Sequence, residues 1–179
     1  MIRFTMAVPW FLPGVVLSIA IALLACRPIG TRLKESPFVA WALLVGFGVV
    51  VSATLTPLQG DLDFEGVVID TCDLSRISPA PIERLLRIND ASLNVALVIP
   101  LGIAIGLVQG WRLRAVLIVA SIVLPFAIET VQLVTPALDR GCQSSDVVDN
   151  LTGLFVGLVV GTGLRLVGTG IRDGTAKGG

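Results

Sequence analysis

An all-α integral membrane bundle of five transmembrane helices, N-terminus outside and C-terminus cytoplasmic, is the fold class this sequence predicts. Three observations carry it. Of 179 residues, 54% are hydrophobic and only 15% charged, too few charges to coat a soluble core of that size. The apolar residues fall in blocks about as long as a bilayer-spanning helix, roughly 20 residues. The basic residues gather in alternate connections, as the positive-inside rule requires of a polytopic chain.

The blocks read as spans over Val8–Ala25, Phe38–Thr56, Ala91–Val108, Ala115–Val134 and Val147–Val167. All three tryptophans, Trp10, Trp41 and Trp111, fall at span edges, where amphipathic rings settle among headgroups. Arg27, Arg32 and Lys34 lie between spans one and two, Arg112 and Arg114 between three and four, and Arg172 and Lys177 in the tail. The connection at 57–90 is acidic on balance, with Asp61, Asp63, Glu65, Asp70, Asp73, Glu83 and Asp90 against Arg76, Arg84 and Arg87. It is therefore the extracytoplasmic loop. The chain reads as a single domain over 1–179, with a flexible tail at 168–179.

Topology sorts the cysteines. Cys72 and Cys142 land outside, where disulfides persist, and a bridge between them would tie the long loop to the segment before span five. Two free thiols are the alternative. Cys26 lands at the cytoplasmic end of span one. "LLAC" at Leu23–Cys26 has the form of a lipoprotein cleavage site, but cleavage there would leave four spans and turn the basic loops outward. Within the loop, "SPAPIERLLRIND" carries proline near a helix start and Ile82, Leu85 and Leu86 on one side, which predicts a short helix on the outer surface.

The polar residues inside the apolar blocks converge. Glu129 and Gln132 share a face in the outer half of span four. Pro125, one turn earlier, frees the carbonyl of Ser121 and predicts a kink. Span five opens with Asp146, a candidate N-cap, followed by Asp149 and Asn150. Asn94 opens span three, and Arg140 lies in the connection between spans four and five. Seven polar side chains thus reach the outer membrane boundary, from three helices and the connection between two of them, and nothing comparable is expected at the cytoplasmic level. Gly153, Gly157 and Gly161 recur every four residues down span five, a stripe that admits another helix closely.

These residues carry a resemblance. "NVALVIPLG", then "IETVQ", then an arginine, then "DVVDNLTGLFVG" resemble the signature of the VanZ-like membrane proteins, over 91–161. The resemblance implies that Asn94, Glu129, Gln132, Arg140, Asp146, Asp149 and Asn150 are the characteristic polar positions, with Pro100, Gly102, Gly153 and Gly157 as backbone positions. Before Pro100 the family commonly has an aromatic residue, where this chain has "ALVI". The family takes its name from a protein that confers low-level resistance to the glycopeptide teicoplanin. The resemblance therefore implies a cell-envelope role in the bacterial cytoplasmic membrane and leaves the reaction open.

Two working readings follow, set against a polar network that only binds helices together. In the first, the site binds a lipid-linked envelope precursor or a phospholipid headgroup, with Arg140 on phosphate and Asn94, Gln132, Asp146 and Asn150 on polar atoms. In the second, an enzyme acts on such a lipid, with Glu129 as general acid or base, raised in pKa by its apolar surroundings, and Asp149 as its ionised partner. Carboxylate and amide oxygens suit Mg²⁺ or Ca²⁺, but Arg140 already supplies positive charge and no ligand-spacing motif occurs, so no cofactor is expected. Without histidine, imidazole chemistry is excluded. Zero net charge and no basic run argue against nucleic acid as a partner.

Overall fold

The computed structural model describes residues 8–57 and 71–177, with side chains up to Thr169. Asp61, Asp63, Glu65 and Asp70 of the acidic loop, and the side chains of Arg172 and Lys177, lie outside the described residues. Five helices are long and apolar enough to cross a membrane. They are α1 (Phe11–Leu33), α2 (Pro37–Thr54), α4 (Asp90–Leu107), α5 (Trp111–Val134) and α6 (Ser144–Lys177), with a one-turn α3 (Ile82–Leu85) between α2 and α4.

Local chemistry fixes the boundaries. Lys34 takes a left-handed conformation after α1, which lets the Glu35 amide close back on Gly30 O at 2.9 Å. Ser36 then caps α2, accepting from Val39 N–H, and Pro37 occupies the first helical position. Asn89 and Ser92 form a reciprocal capping box at the start of α4. Pro81 precedes α3, the short helix expected from its prolines. Pro125 does not break α5, which is one helix from Trp111 to Val134. At 34 residues α6 is about 51 Å long, well beyond the roughly 30 Å of hydrocarbon. Helical backbone thus continues through 168–177, the stretch read from sequence as a flexible tail.

Helix α4 is the hub. It packs most closely on α6, then on α2, and α1 joins the bundle through α2. The apolar core comprises Val50, Val98, Leu101, Ile105, Ile128 and Leu154. The α4–α6 seam is built on glycine. A Cβ on Gly102 would lie 2.6 Å from Leu154 O, and one on Gly157 would lie 2.9 Å from Gly102 Cα, so only bare backbone fits there. On the other flank, α1 and α2 exchange Ser18 against Gly48 and Ser52 against Gly14. Each serine hydroxyl donates to the glycine carbonyl four residues back in its own helix, at 2.7 Å, and so enters the apolar seam already satisfied.

One end of the bundle carries a feature that the sequence reading did not foresee. Glu35, buried between α1 and α2, accepts the Gln109 amide at 3.0 and 3.1 Å and the Gly110 amide at 2.9 Å. Those amides open α5, where the helix dipole favours an anion. One carboxylate thus clips the α1–α2 corner to the α4–α5 corner, a contact of which the sequence carries no sign. Glu35→Ala is expected to destabilise the protein by about 2 kcal/mol, the scale of a hydrogen bond to a charged group, and Glu35→Gln by less. Denaturation midpoints in detergent micelles would check this; equal midpoints for wild type and Glu35→Ala would remove the clip.

Candidate functional site at the disulfide end

The opposite end is organised by the bond between Cys72 and Cys142, 70 residues apart in sequence with Cα atoms 4.5 Å apart. Next to it the two segments pair as backbone. Asp73 N–H donates to Cys142 O at 2.8 Å, and Ser144 N–H donates to Asp73 O at 2.9 Å. The Asp73 carboxylate accepts Ser75 N–H at 2.8 Å, which turns the loop and holds that carboxyl below its usual value. Ser144 Oγ then donates to Arg76 O at 2.8 Å. The loop from 72 to 78 is in this way laid over the first turn of α6.

That placement puts Arg76 on Asp149. The guanidinium is bidentate, with Nη1–Oδ1 at 3.1 Å and Nη2–Oδ2 at 2.5 Å. It also donates to Ser78 O and Ser145 O. The Asp149 side chain is only 2% exposed, so its charge depends on this partner. In turn Asp149 holds the Arg76 guanidinium above its ordinary range. Both oxygens of the proposed ionised partner are thus already engaged.

Glu129 and Gln132 project from the end of α5, and both are buried. Glu129 Oε2 accepts Gln143 N–H at 2.7 Å, while Oε1 makes no hydrogen bond among the described residues. Gln132 Nε2 donates to Thr54 O at 2.9 Å. After α5 a 3₁₀ turn (Pro136–Leu138) buries Leu138, and left-handed Asp139 reverses the chain. Arg140 consequently points back at α2, with Nε on Thr56 O at 3.1 Å and Nη2 on Ala53 O at 2.7 Å. Together Gln132 and Arg140 satisfy the carbonyls that the C-terminus of α2 leaves unpaired. The hydroxyls of Thr54 and Thr56 bond their own helix, at Val50 O and Ser52 O.

Arg140 is half-buried and has no carboxylate within ion-pair distance among the described residues. Burial pulls its guanidinium below the usual range, opposed by the nearby charges of Asp146 and Glu129. It stays protonated, as arginine does in proteins. Its Nη1 makes no hydrogen bond among the described residues and is not a buried atom. Asp146, in the first turn of α6, is faced by the Asn94 side chain from α4 and by Ser145 Oγ at 3.4 Å. Asn150, one turn further along α6, is 2% exposed, and its Oδ1 is buried without a partner among the described residues.

All seven polar positions singled out from the sequence lie at this end, but they divide. Gln132 and Asp149 are engaged with protein groups. Arg140, Glu129, Asp146, Asn150 and Asn94 retain atoms that are open or facing one another across α4, α5 and α6. Sequence reasoning missed Arg76, which it counted only toward the loop charge. With Arg76 beside Arg140, two arginines rather than one stand among Glu129, Asp146 and Asp149. The available signal was spacing: Arg76 lies four residues past Cys72, and Asp149 lies seven residues, two helical turns, past Cys142. It missed as well the part of α2, whose carbonyls carry no side-chain signature. Among the described residues, no three His, Cys, Asp or Glu side chains gather as a metal-ion set.

No curated protein and no solved structure matches the chain. A family match does exist, to VanZ/LLP1 over residues 15–165. It reaches from within the first candidate transmembrane helix to within the last, and takes in the disulfide and the whole polar end. This multi-pass chain therefore belongs to the VanZ/LLP1 family.

Proposed function

We propose that the disulfide end faces outward from the bacterial cytoplasmic membrane. There it binds the phosphate-bearing headgroup of a lipid-linked envelope component or phospholipid. The observation that carries this reading is Arg140: a half-buried guanidinium that lacks an ion pair among the described residues and has Nη1 unbonded. Its planar fork suits phosphate. The orientation rests on two supports. Disulfides persist on the oxidising side, and Arg27, Arg32, Lys34, Arg112 and Arg114 gather at the other end, in the last two turns of α1, just after it and in the first turn of α5. Gln132 and the Arg76–Asp149 pair hold the frame, while Arg140, Glu129, Asn94, Asp146 and Asn150 meet the ligand. A change in the amount or display of such a lipid is the route by which this chain would lower susceptibility to teicoplanin.

One observation favours an enzymatic version of the same site. Glu129 uses Oε2 on a backbone amide and keeps Oε1 unbonded among the described residues, an arrangement that can give or take a proton from a bound headgroup. Glu129→Gln can still accept from Gln143 but cannot transfer a proton. The test is teicoplanin susceptibility in a sensitive host at matched membrane levels, for wild type, Arg140→Gln and Glu129→Gln. Binding alone predicts that Arg140→Gln loses protection, through about 10- to 100-fold weaker headgroup affinity, while Glu129→Gln keeps part of it. Catalysis predicts complete loss in both. Protection unchanged in Arg140→Gln would end the headgroup reading.

A further inference from the structure

The unmet demand at this end is mainly for hydrogen-bond donors. Asn150 Oδ1 is a buried acceptor with no partner among the described residues, and leaving it so is unfavourable. Asp146 lies one turn earlier on the same face of α6, and among the described residues its carboxylate is faced by the Asn94 amide and the Ser145 hydroxyl, with the charges of Asp149, Asp90, Arg76 and Arg140 nearby. Glu129 Oε1 adds a third acceptor, from α5. Arg76 also acts on Asp146 at a distance, but Asp149 holds it bidentately, so among the described residues Arg140 is the cation that faces both carboxylates without being paired.

Charge sharpens the point. Arg140 faces both Glu129 and Asp146 without pairing with either. A ligand that brought phosphate alone would satisfy Arg140 and add negative charge beside two carboxylates. A ligand whose phosphate is joined to a cationic donor meets both demands at once. Resting on the headgroup reading above, we infer that the ligand is zwitterionic: a phosphodiester carrying a primary ammonium, its phosphate on Arg140 and its ammonium toward Asp146 and Asn150 Oδ1. A trimethylated ammonium has the charge but no N–H for Asn150, and a glycerol headgroup has hydroxyls but no charge for Asp146.

The test uses the purified full-length protein with its disulfide intact. Native mass spectrometry measures apparent affinities for phosphatidylethanolamine, phosphatidylcholine and phosphatidylglycerol of one chain length. The expected result is a preference of about tenfold for phosphatidylethanolamine over both others. Asp146→Asn should erase that preference while retaining binding. Asn150→Leu should do the same, since it deletes the buried acceptor without leaving a polar group unpaired. Arg140→Gln should weaken all three lipids. If the three bind equally and Arg140→Gln still weakens them, the zwitterion inference falls and the headgroup reading stands. If Arg140→Gln changes none of them, both fall.

Discussion

Gly153→Ala is expected to lose most of the folded protein, although it adds one methyl group. A Cβ there would overlap Val95 O and lie 2.9 Å from Val95 C and 3.1 Å from Val95 Cα, all backbone of α4. No rotamer relieves such a contact, so the helices must separate along a seam that Gly157 and Gly161 continue against Ile99 and Ile103. The expected loss reaches at least the top of the overpacking range, about 3 kcal/mol. Gly163→Ala is the control. It lies in the same helix with nothing within 4 Å, and helix propensity alone should stabilise it by about 0.5–1 kcal/mol. Titrating both variants with a denaturing detergent and following helicity would compare them. Equal midpoints for wild type and Gly153→Ala would show that α4 and α6 do not approach this closely. The site depends on the same seam, because Asn94 adjoins Val95 and Asn150 lies one turn from Gly153.

The glycine stripe was legible because its period matches the helix and lipid offers no other use for it. The five spans were legible for a similar reason: hydrocarbon demands an apolar block of set length, whatever the partners. Boundaries followed less well. α1 continues to Leu33 although charges begin at Arg27, since a helix that has left the hydrocarbon can go on in water. The serine–glycine exchange between α1 and α2 left only one four-residue step in each helix, Gly14 to Ser18 and Gly48 to Ser52, too short to stand out as a stripe.

For the polar end, sequence placed the residues at one level but not their partners. Gln132 and Arg140 bond to carbonyls of α2, and a carbonyl has no residue type by which to be recognised. Glu35 was invisible for the converse reason. Its partners are the amides of Gln109 and Gly110, and nothing in the connection distinguishes a carboxylate turned inward from one left in solvent. Arg76 required a tertiary fact, the course of the loop across α6, which depends on the link between Cys72 and Cys142.

Arg76→Met is expected to destabilise the protein by about 3–5 kcal/mol, the range for breaking a buried ion pair from one side. Asp149 is the partner that suffers. Its side chain is 2% exposed, against 19% for Arg76, so Asp149 cannot turn to water when the guanidinium is gone. The double variant Arg76→Met/Asp149→Leu removes both charges and should recover most of the loss, since apolar replacements of a whole pair are often neutral. The disulfide supplies an independent handle on the same contact. A 70-residue closure in water would contribute about 4 kcal/mol by chain entropy, but spans that stay inserted already restrain the loop. Most of what Cys72→Ser/Cys142→Ser loses should therefore come from releasing Arg76. The two perturbations should then be non-additive: removing the disulfide should matter far less in the Arg76→Met background than in wild type. Full additivity in unfolding midpoints would mean that the disulfide does not hold Arg76 in place. Phenotype separates frame from site as well, because Arg76→Met/Asp149→Leu, with its fold recovered, should keep the headgroup binding that Arg140→Gln loses.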